Sequence, residues 1–256
     1  MHELIDDIAD GWFGASVAAD YDTDEGIEFD PDEIGRTVDV LADLAGDGSS
    51  VEFAIGTGRI AIPLAARGVR VHGIELSRAM AARLASKPGA EVIDVTIGDI
   101  TVTRIEGEFS LAYLVFNTIN NLTTQAAQVD CFRNAAAHLS PGGRFVVEVG
   151  VPALRRMPPG QDIVPFTACA DDAGNGTVGF DRYDVVTQQF SSHHVSVTNG
   201  AGRYRAIPFR YVWPSELDLM ATIAGLELEH RWQDWARTLF TADSDKHVSV
   251  WVKPTD

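Results

Sequence analysis

The sequence predicts an α/β protein, a doubly wound and mostly parallel seven-stranded sheet with a small antiparallel β-sheet inserted in it. Three observations carry that prediction. Between about residues 50 and 150, short apolar runs alternate with stretches of helical period, the rhythm of βαβ units. The run Phe109 to Phe116 is apolar almost throughout, as expected of a parallel strand buried on both faces. From about Pro158 to Tyr211 the helical period stops and period-two alternation replaces it.

The elements follow in order. The first 20 residues are weakly helical and rich in Asp and Ala. Asp30 can cap a helix, Pro31 suits its first turn, and Glu33 stands at the capping-box position. Ile34, Val38, Leu41 and Leu44 line one face of that helix, and Gly46 ends it. Val51 to Ile55 reads as a buried strand running into the turn Gly56-Thr57-Gly58, with an amphipathic helix behind it closed by Gly68. Val69 to Ile74 is a second strand, and Ser77 caps a helix reaching Ser86. Glu91 to Val95 is the third strand and Phe109 to Phe116 the fourth. Thr124 to Leu139 is a helix stopped by Ser140-Pro141-Gly142-Gly143, before a fifth strand from Arg144 to Val149.

Within the insertion, Asp181 to Phe190, His193 to Thr198 and Tyr204 to Tyr211 alternate as strands. Asn199-Gly200-Ala201-Gly202 is a hairpin turn between the last two. Trp213-Pro214-Ser215-Glu216 restarts a helix ending near Gly225, and strands Leu226 to Trp232 and His247 to Val252 complete the sheet. The expected organisation is therefore a core of residues 1–157 and 212–256 with an inserted β subdomain at 158–211, placed as a lid over a substrate.

Composition narrows the function classes. A formal net charge of −17 and a pI near 4.6 give a surface that repels phosphate backbones, so nucleic acid is not the expected partner. The acidic start Met1-His2-Glu3-Leu4-Ile5-Asp6-Asp7 has no apolar h-region, and no run reaches the ~20 apolar residues of a membrane span. Cys131 and Cys169 fit neither a zinc spacing nor a disulfide framework. A cytoplasmic enzyme acting on a small molecule, without a metal or membrane partner, is the expectation; the sequence leaves its oligomeric state open.

The strand–glycine turn–helix segment from Val51 to Gly68 is the nucleotide-binding corner of such a fold. Gly56 and Gly58 lack Cβ atoms, so the backbone can turn sharply and approach a ligand. Gly56-x-Gly58-x-x-Ala61 followed by Glu75 satisfies the dinucleotide pattern, and a NAD-dependent oxidoreductase is one reading. Two further carboxylates point elsewhere. Glu52 stands inside the strand, where an anion repels a pyrophosphate but attracts a ligand carrying an amino group. Asp99, in Ile97-Gly98-Asp99-Ile100, can accept a hydrogen bond from an adenine amine.

With these residues the segment resembles the class I S-adenosylmethionine-dependent methyltransferases, whose first motif is usually written E/D-x-G-x-G-x-G. Here it reads Glu52-Phe53-Ala54-Ile55-Gly56-Thr57-Gly58, with Ala54 in place of the first glycine. The resemblance covers about residues 20 to 150 by motif and the last 45 by pattern. It implies a Rossmann-like methyltransferase fold, S-adenosylmethionine as cofactor, and cofactor contacts from Tyr21, Glu52, Ala54, Gly56, Gly58, Glu75, Leu76, Met80, Asp99, Ile100 and Phe116. The inserted sheet resembles, by architecture alone, that of amino-sugar N-methyltransferases. A non-catalytic S-adenosylmethionine-binding module is the remaining alternative.

Each candidate has a plainer reading beside the functional one. Glu75 can bind both ribose hydroxyls with charge-assisted strength or simply end a strand. Asp99 can read adenine or cap its own turn, and Met80 can flank adenine or fill the core. Tyr21, in Ala18-Ala19-Asp20-Tyr21-Asp22, resembles the Tyr-Asp pair that closes over the cofactor in this family. The loop Phe116-Asn117-Thr118-Ile119-Asn120-Asn121 follows the fourth strand, where an α/β sheet binds its ligands. Asn120 can orient an acceptor there but cannot act as a base. His193 and His194 are adjacent in a strand and must face opposite ways, so only one can enter a pocket as base or hydrogen-bond partner.

Overall fold

The computed structural model describes residues 10–23 and 29–255. Over these the chain runs α1 (Ala15–Asp20), α2 (Pro31–Ala45), β1 (Ser50–Phe53), α3 (Ala61–Ala66), β2 (Val71–Glu75), α4 (Arg78–Ala85), β3 (Asp94–Ile97), β4 (Phe109–Leu114) and α5 (Gln125–His138). It continues β5 (Leu139–Gly150), β6 (Ile163–Ala170), β7 (Gly176–Asp184), β8 (Gln189–Thr198), β9 (Ala201–Arg210), α6 (Pro214–Ile223), β10 (Glu227–Trp232) and β11 (Lys246–Val252), with short 3-10 turns between.

Seven of the described strands form one sheet in the order β10-β11-β5-β4-β1-β2-β3. The five from β3 to β5 in that order are parallel, and β11 and β10 are added antiparallel. The chain leaves β1 toward β2 and returns on the other side at β4. That reversal opens a crevice beyond the carboxyl ends of β1 and β4, the place where such sheets bind ligands. The remaining four strands form a separate antiparallel sheet, β6-β7-β8-β9.

Two apolar layers hold the large sheet. On one face Phe132 meets Phe145 and Trp251 edge-on at centroid distances of 5.0 and 5.2 Å. On the other, Val38, Leu41, Leu64, Leu84 and Leu111 pack together, all buried. Each such aliphatic side chain contributes about 1.5–3 kcal/mol by leaving water. None of the described helices is long and apolar enough to cross a membrane.

Several boundaries differ from expectation for physical reasons. Residues predicted as the start of the third strand form a 3-10 turn, Ala90–Val92, opened by Gly89 in the left-handed conformation (φ 86°). Ser140 to Gly143 do not interrupt helix and strand; β5 begins at Leu139, and Gly142 and Gly143 exchange 2.8 Å backbone bonds with Lys253. The insertion has a fourth strand, β6, whose Pro165 sits at a bulge on the sheet edge, the one place a strand tolerates proline. The predicted strand 181–190 breaks at Asp184, which accepts bonds from Val186 N and Thr187 Oγ1, while Gln188 turns at φ 59°. Glu33 makes no capping box: Asp30 alone accepts from Asp32 N and Glu33 N, and the Glu33 carboxylate pairs with Arg36 and Lys246.

Candidate active site

The corner after β1 is built from alternating left-handed residues, Ala54 (φ 58°), Gly56 (φ 58°) and Gly58 (φ 79°). The two glycines have different reasons. A Cβ on Gly56 would meet Met80 Cε on the cavity wall at an ordinary 3.5 Å, so the left-handed φ, and not lack of room, favours glycine there. A Cβ on Gly58 would come within 2.9 Å of Leu84. Gly58 therefore permits close packing of the turn on α4 and is not among the residues lining the cavity.

Glu75 closes β2 and is only 6% exposed. Its Oε2 accepts from Gly56 N at 2.7 Å and its Oε1 from Ser77 N at 2.8 Å. Burial pushes its pKa up, and the amides of Ser77, Gly56 and Leu76 pull it back. One carboxylate thus fixes both the glycine turn and the start of α4, while its side chain lines the cavity. Ser77 in turn donates to Phe13 O at 2.7 Å, drawing the leader segment onto the same corner. Asp22 fastens the rest of the leader: it accepts from Thr57 Oγ1 at 2.6 Å and pairs with Lys87 at 2.8 Å. Burial acts against its charge, but the Lys87 and Thr57 bonds win and hold its pKa below the ordinary value. Tyr21, one residue earlier, is thereby held on the cavity wall with Phe13 and Met80.

The other predicted acids behave differently. Glu52 is 4% exposed and shut beneath the turn, where Tyr113 Oη donates to it at 2.9 Å. Burial pushes its pKa up to about 8, against the Tyr113 bond and the Arg59 charge. Its charged form is thus disfavoured where it stands, with Tyr113 as its bonded partner. Asp99 is exposed and caps its own turn, accepting from Thr101 N at 2.8 Å and Thr101 Oγ1 at 2.7 Å. Ile100 is core, and Leu76 is 46% exposed. Neither Asp99, Ile100 nor Leu76 is brought to the cavity wall.

The main cavity holds about 580 Å³ between the carboxyl ends of β1, β2, β4 and β5 and the inner face of β7 to β9. That is the size of a small-molecule site, typically ~300–1,000 Å³. Ala54, Gly56, Glu75, Met80, Tyr21, Phe116 and Asn120 line one side, as predicted for the cofactor and reaction loop. The loop after β4 turns on two successive left-handed residues, Phe116 (φ 55°) and Asn117 (φ 58°). Asn117 Oδ1 accepts from Gly150 N at 2.7 Å, tying the loop to β5. The Oδ1 atoms of Asn120 and Asn121 are buried against the cavity with no hydrogen-bond partner among the described residues.

On the insertion side the histidine pair divides as alternation requires. His194 lines the cavity. His193 faces away, stacked on Phe180 at 4.7 Å and bonded to Ser191 Oγ at 2.7 Å and Tyr204 Oη at 2.5 Å. Sequence reasoning missed the partners of His194 on the inner face: Asp181, Tyr183, Phe190, Ser192 and Phe209. It also missed what seats the insertion. Arg210, 4% exposed at the end of β9, pairs with Glu216 at 2.7 Å and with Gln128 and Gln188, and accepts from Gln128 Nε2 at 3.2 Å. Among the described residues, no three His, Cys, Asp or Glu side chains are gathered to hold a metal ion.

These walls suit a cation with a flat nucleoside. Among the described lining residues there are two carboxylates, Glu75 and Asp181, and no Lys or Arg, beside many aromatic faces. The two partnerless Asn oxygens add acceptors for a ligand's N–H or O–H groups.

Comparison with known proteins agrees. A methyltransferase-domain family matches residues 51–143. The CcbJ methyltransferase from Streptomyces caelestis is 34% identical and superposes with a TM-score of 0.83 over 94% of this chain and 98% of its own. An S-adenosylmethionine-dependent methyltransferase from Clostridium acetobutylicum (13% identical, TM-score 0.73, 88% and 91% covered) shares the fold. So does the amino pentose methyltransferase CalS10 from Micromonospora echinaspora (18%, 0.66, 92% and 95%), whose structure holds S-adenosylmethionine. The Bacillus subtilis protein YqeM, which carries a methyltransferase name, is 27% identical over 112 residues, 43% of this chain and 45% of its own length. The cofactor is thus S-adenosylmethionine and not a nicotinamide dinucleotide. On full-length similarity to CcbJ together with the glycine corner, Glu75 and the seven-stranded sheet, the chain belongs to the class I S-adenosylmethionine-dependent methyltransferases.

Proposed function

We propose that this protein methylates a nitrogen of a small-molecule acceptor held between the large sheet and the inserted β6–β9 sheet. The observation that carries this is the two-sided cavity: Glu75 and the glycine turn at one end, an aromatic wall with polar groups at the other. When bound, S-adenosylmethionine supplies a methyl group on a sulfonium, open to in-line displacement with a neutral leaving group. The chain's own part is to bind, align and exclude water.

Glu75 has acceptor capacity left for ribose hydroxyls beyond its two backbone bonds. Tyr21, Phe13 and Met80 provide flat and soft contacts for the nucleoside. The Asn120 and Asn121 oxygens are placed to receive donors near the carboxyl end of β4. The segment 158–211 acts as the acceptor lid, seated by Arg210. CalS10 is named an amino pentose methyltransferase and KedS8 a sugar N-methyltransferase, which supports nitrogen and a sugar or secondary-metabolite acceptor here. The unpaired cysteines Cys131 and Cys169 suit a reducing, cytoplasmic setting.

The test is incubation with S-adenosylmethionine and a panel of amino sugars and cyclic amines, reading products by mass spectrometry. One added methyl on nitrogen is expected. Transfer to oxygen or carbon overturns the nitrogen assignment, and tight S-adenosylhomocysteine binding with no product on any acceptor points to a binding module.

A further inference from the structure

We propose that Asp181 is the acceptor-binding residue, docking a cationic amine through its carboxylate, with Ser192 opposite it on β8 and Tyr183 beside it on the same face of β7. The inference deepens the methyltransfer reading and rests on it.

The placement follows from strand register. Asp181 on β7 lies directly opposite Ser192 on β8, and both face the cavity. On the β6 side its opposite neighbour is Val164, which carries no charge. Tyr183 stands two residues along the same strand and so on the same face. Around them the aromatic rings are stacked: Tyr183 on Phe190 at 5.2 Å, and Phe190 on Phe209 at 5.0 Å, with Tyr211 5.8 Å from Tyr183.

A carboxylate in such a wall is expensive unless a partner compensates it. Lys and Arg do not supply the partner, since neither is found among the described lining residues. Burial raises the Asp181 pKa, opposed by the Ser192 bond, the His193 charge and the Tyr183 bond. An incoming ammonium would pair with the carboxylate, be held by the ring faces and pass one proton to Asp181, so that the neutral nitrogen's lone pair forms the new N–C bond as the S–CH3 bond breaks, the thioether leaves neutral and the methylated nitrogen carries the charge. Glu75 does not take this role, because it stands at the other end of the cavity, where it fixes the glycine turn and the start of α4. His194 offers at most one neutral acceptor nitrogen and no negative charge, so it cannot supply the charge-assisted bond that Asp181 can. A hydroxyl acceptor would leave the charge uncompensated, so Asp181 also sets specificity for amines over alcohols.

The experiment uses two probes of nearly the same shape, benzylamine and benzyl alcohol, titrated by NMR into the full-length protein saturated with S-adenosylhomocysteine. The wild type should bind benzylamine about 10-fold or more tightly than the alcohol, the ratio of one charge-assisted hydrogen bond. Asp181→Asn should abolish the preference, Asp181→Glu should keep part of it, and Ser192→Ala should reduce it. Affinity for S-adenosylhomocysteine, unchanged in all three, shows that the variants are folded. Equal affinity for the two probes in the wild type overturns the assignment, as does a preference that survives Asp181→Asn. Failure of the wild type to bind S-adenosylhomocysteine would instead sink the methyltransfer reading, so the two failures are distinct.

Discussion

Removing the Glu75 carboxylate should damage the cofactor site and the corner that carries it, by separable amounts. Its two oxygens accept from Gly56 N at 2.7 Å and Ser77 N at 2.8 Å in a buried setting. Glu75→Ala leaves both amides without an acceptor, and each orphaned buried donor costs about 1–3 kcal/mol. A stability loss of about 2–4 kcal/mol follows once partial solvent entry is allowed for. Glu75→Gln is not a mild change: its NH2 group must face one of two N–H donors, so one bond becomes a donor–donor contact. Its stability loss should be about half that of Ala. Cofactor affinity should fall by about 2–4 kcal/mol in both variants, because the charge proposed to bond the ribose hydroxyls is gone. That is roughly a 30- to 1,000-fold rise in Kd. Urea unfolding measures the first effect, and calorimetry with S-adenosylhomocysteine on the folded variants measures the second. A folded Glu75→Ala protein that binds S-adenosylhomocysteine with the wild-type Kd would refute the placement of the ribose at this carboxylate.

Three further outcomes follow from the site. Ala54 holds a left-handed φ of 58° that costs an L-residue about 1–2 kcal/mol, partly offset by the extra unfolded-state freedom of glycine, about 0.4–1 kcal/mol. Ala54→Gly should therefore stabilise by about 0.5–1 kcal/mol, and a loss in urea midpoint would contradict that accounting. Glu52 has a folded pKa near 8, above its ordinary 4.5, so its contribution is complete below about pH 4.5 and is lost as pH rises toward 8. Relative to wild type, Glu52→Gln should gain about 2–4 kcal/mol between pH 5 and pH 8, and parallel stability–pH curves would rule this out. His194→Ala should lower kcat/KM about 10-fold or more if it contacts the acceptor or its proton. His193→Ala should leave kcat/KM unchanged and cost about 1 kcal/mol of stability, since it faces Phe180 away from the cavity. Matching kinetics in the two histidine variants would remove the distinction.

The two halves of the site differed in how far the sequence revealed them, and the cause is physical. On the cofactor side, function is written into backbone demands. Gly56 needs a left-handed conformation that few residues adopt, Glu75 ends a buried strand, and Asn117 to Asn121 follows the nearly continuous apolar run Phe109 to Phe116. Such demands leave strong marks in one dimension. Even there, side-chain destinations were less legible than positions. Gly58 answers to Leu84 and Glu52 to Tyr113, contacts made across 26 and 61 residues of chain that no local pattern encodes, while Asp99 caps its own turn at Thr101, the local alternative its sequence offered. On the acceptor side, the strands lie in a sheet with both faces partly wet, and β6 shows no regular alternation at all. The parity of His193 and His194 could be read, because adjacency in a strand settles it. The meaning of Asp181 could not, because a carboxylate on a half-exposed strand is ordinarily solvated. What changes its meaning is convergence: Ser192 reaches it through strand pairing, the aromatic rings arrive from β7, β8 and β9, and Arg210 seats that sheet against α5 and α6. The proposed acceptor site thus lies where the chain's three-dimensional pairing, and not its local grammar, decides which side chains meet.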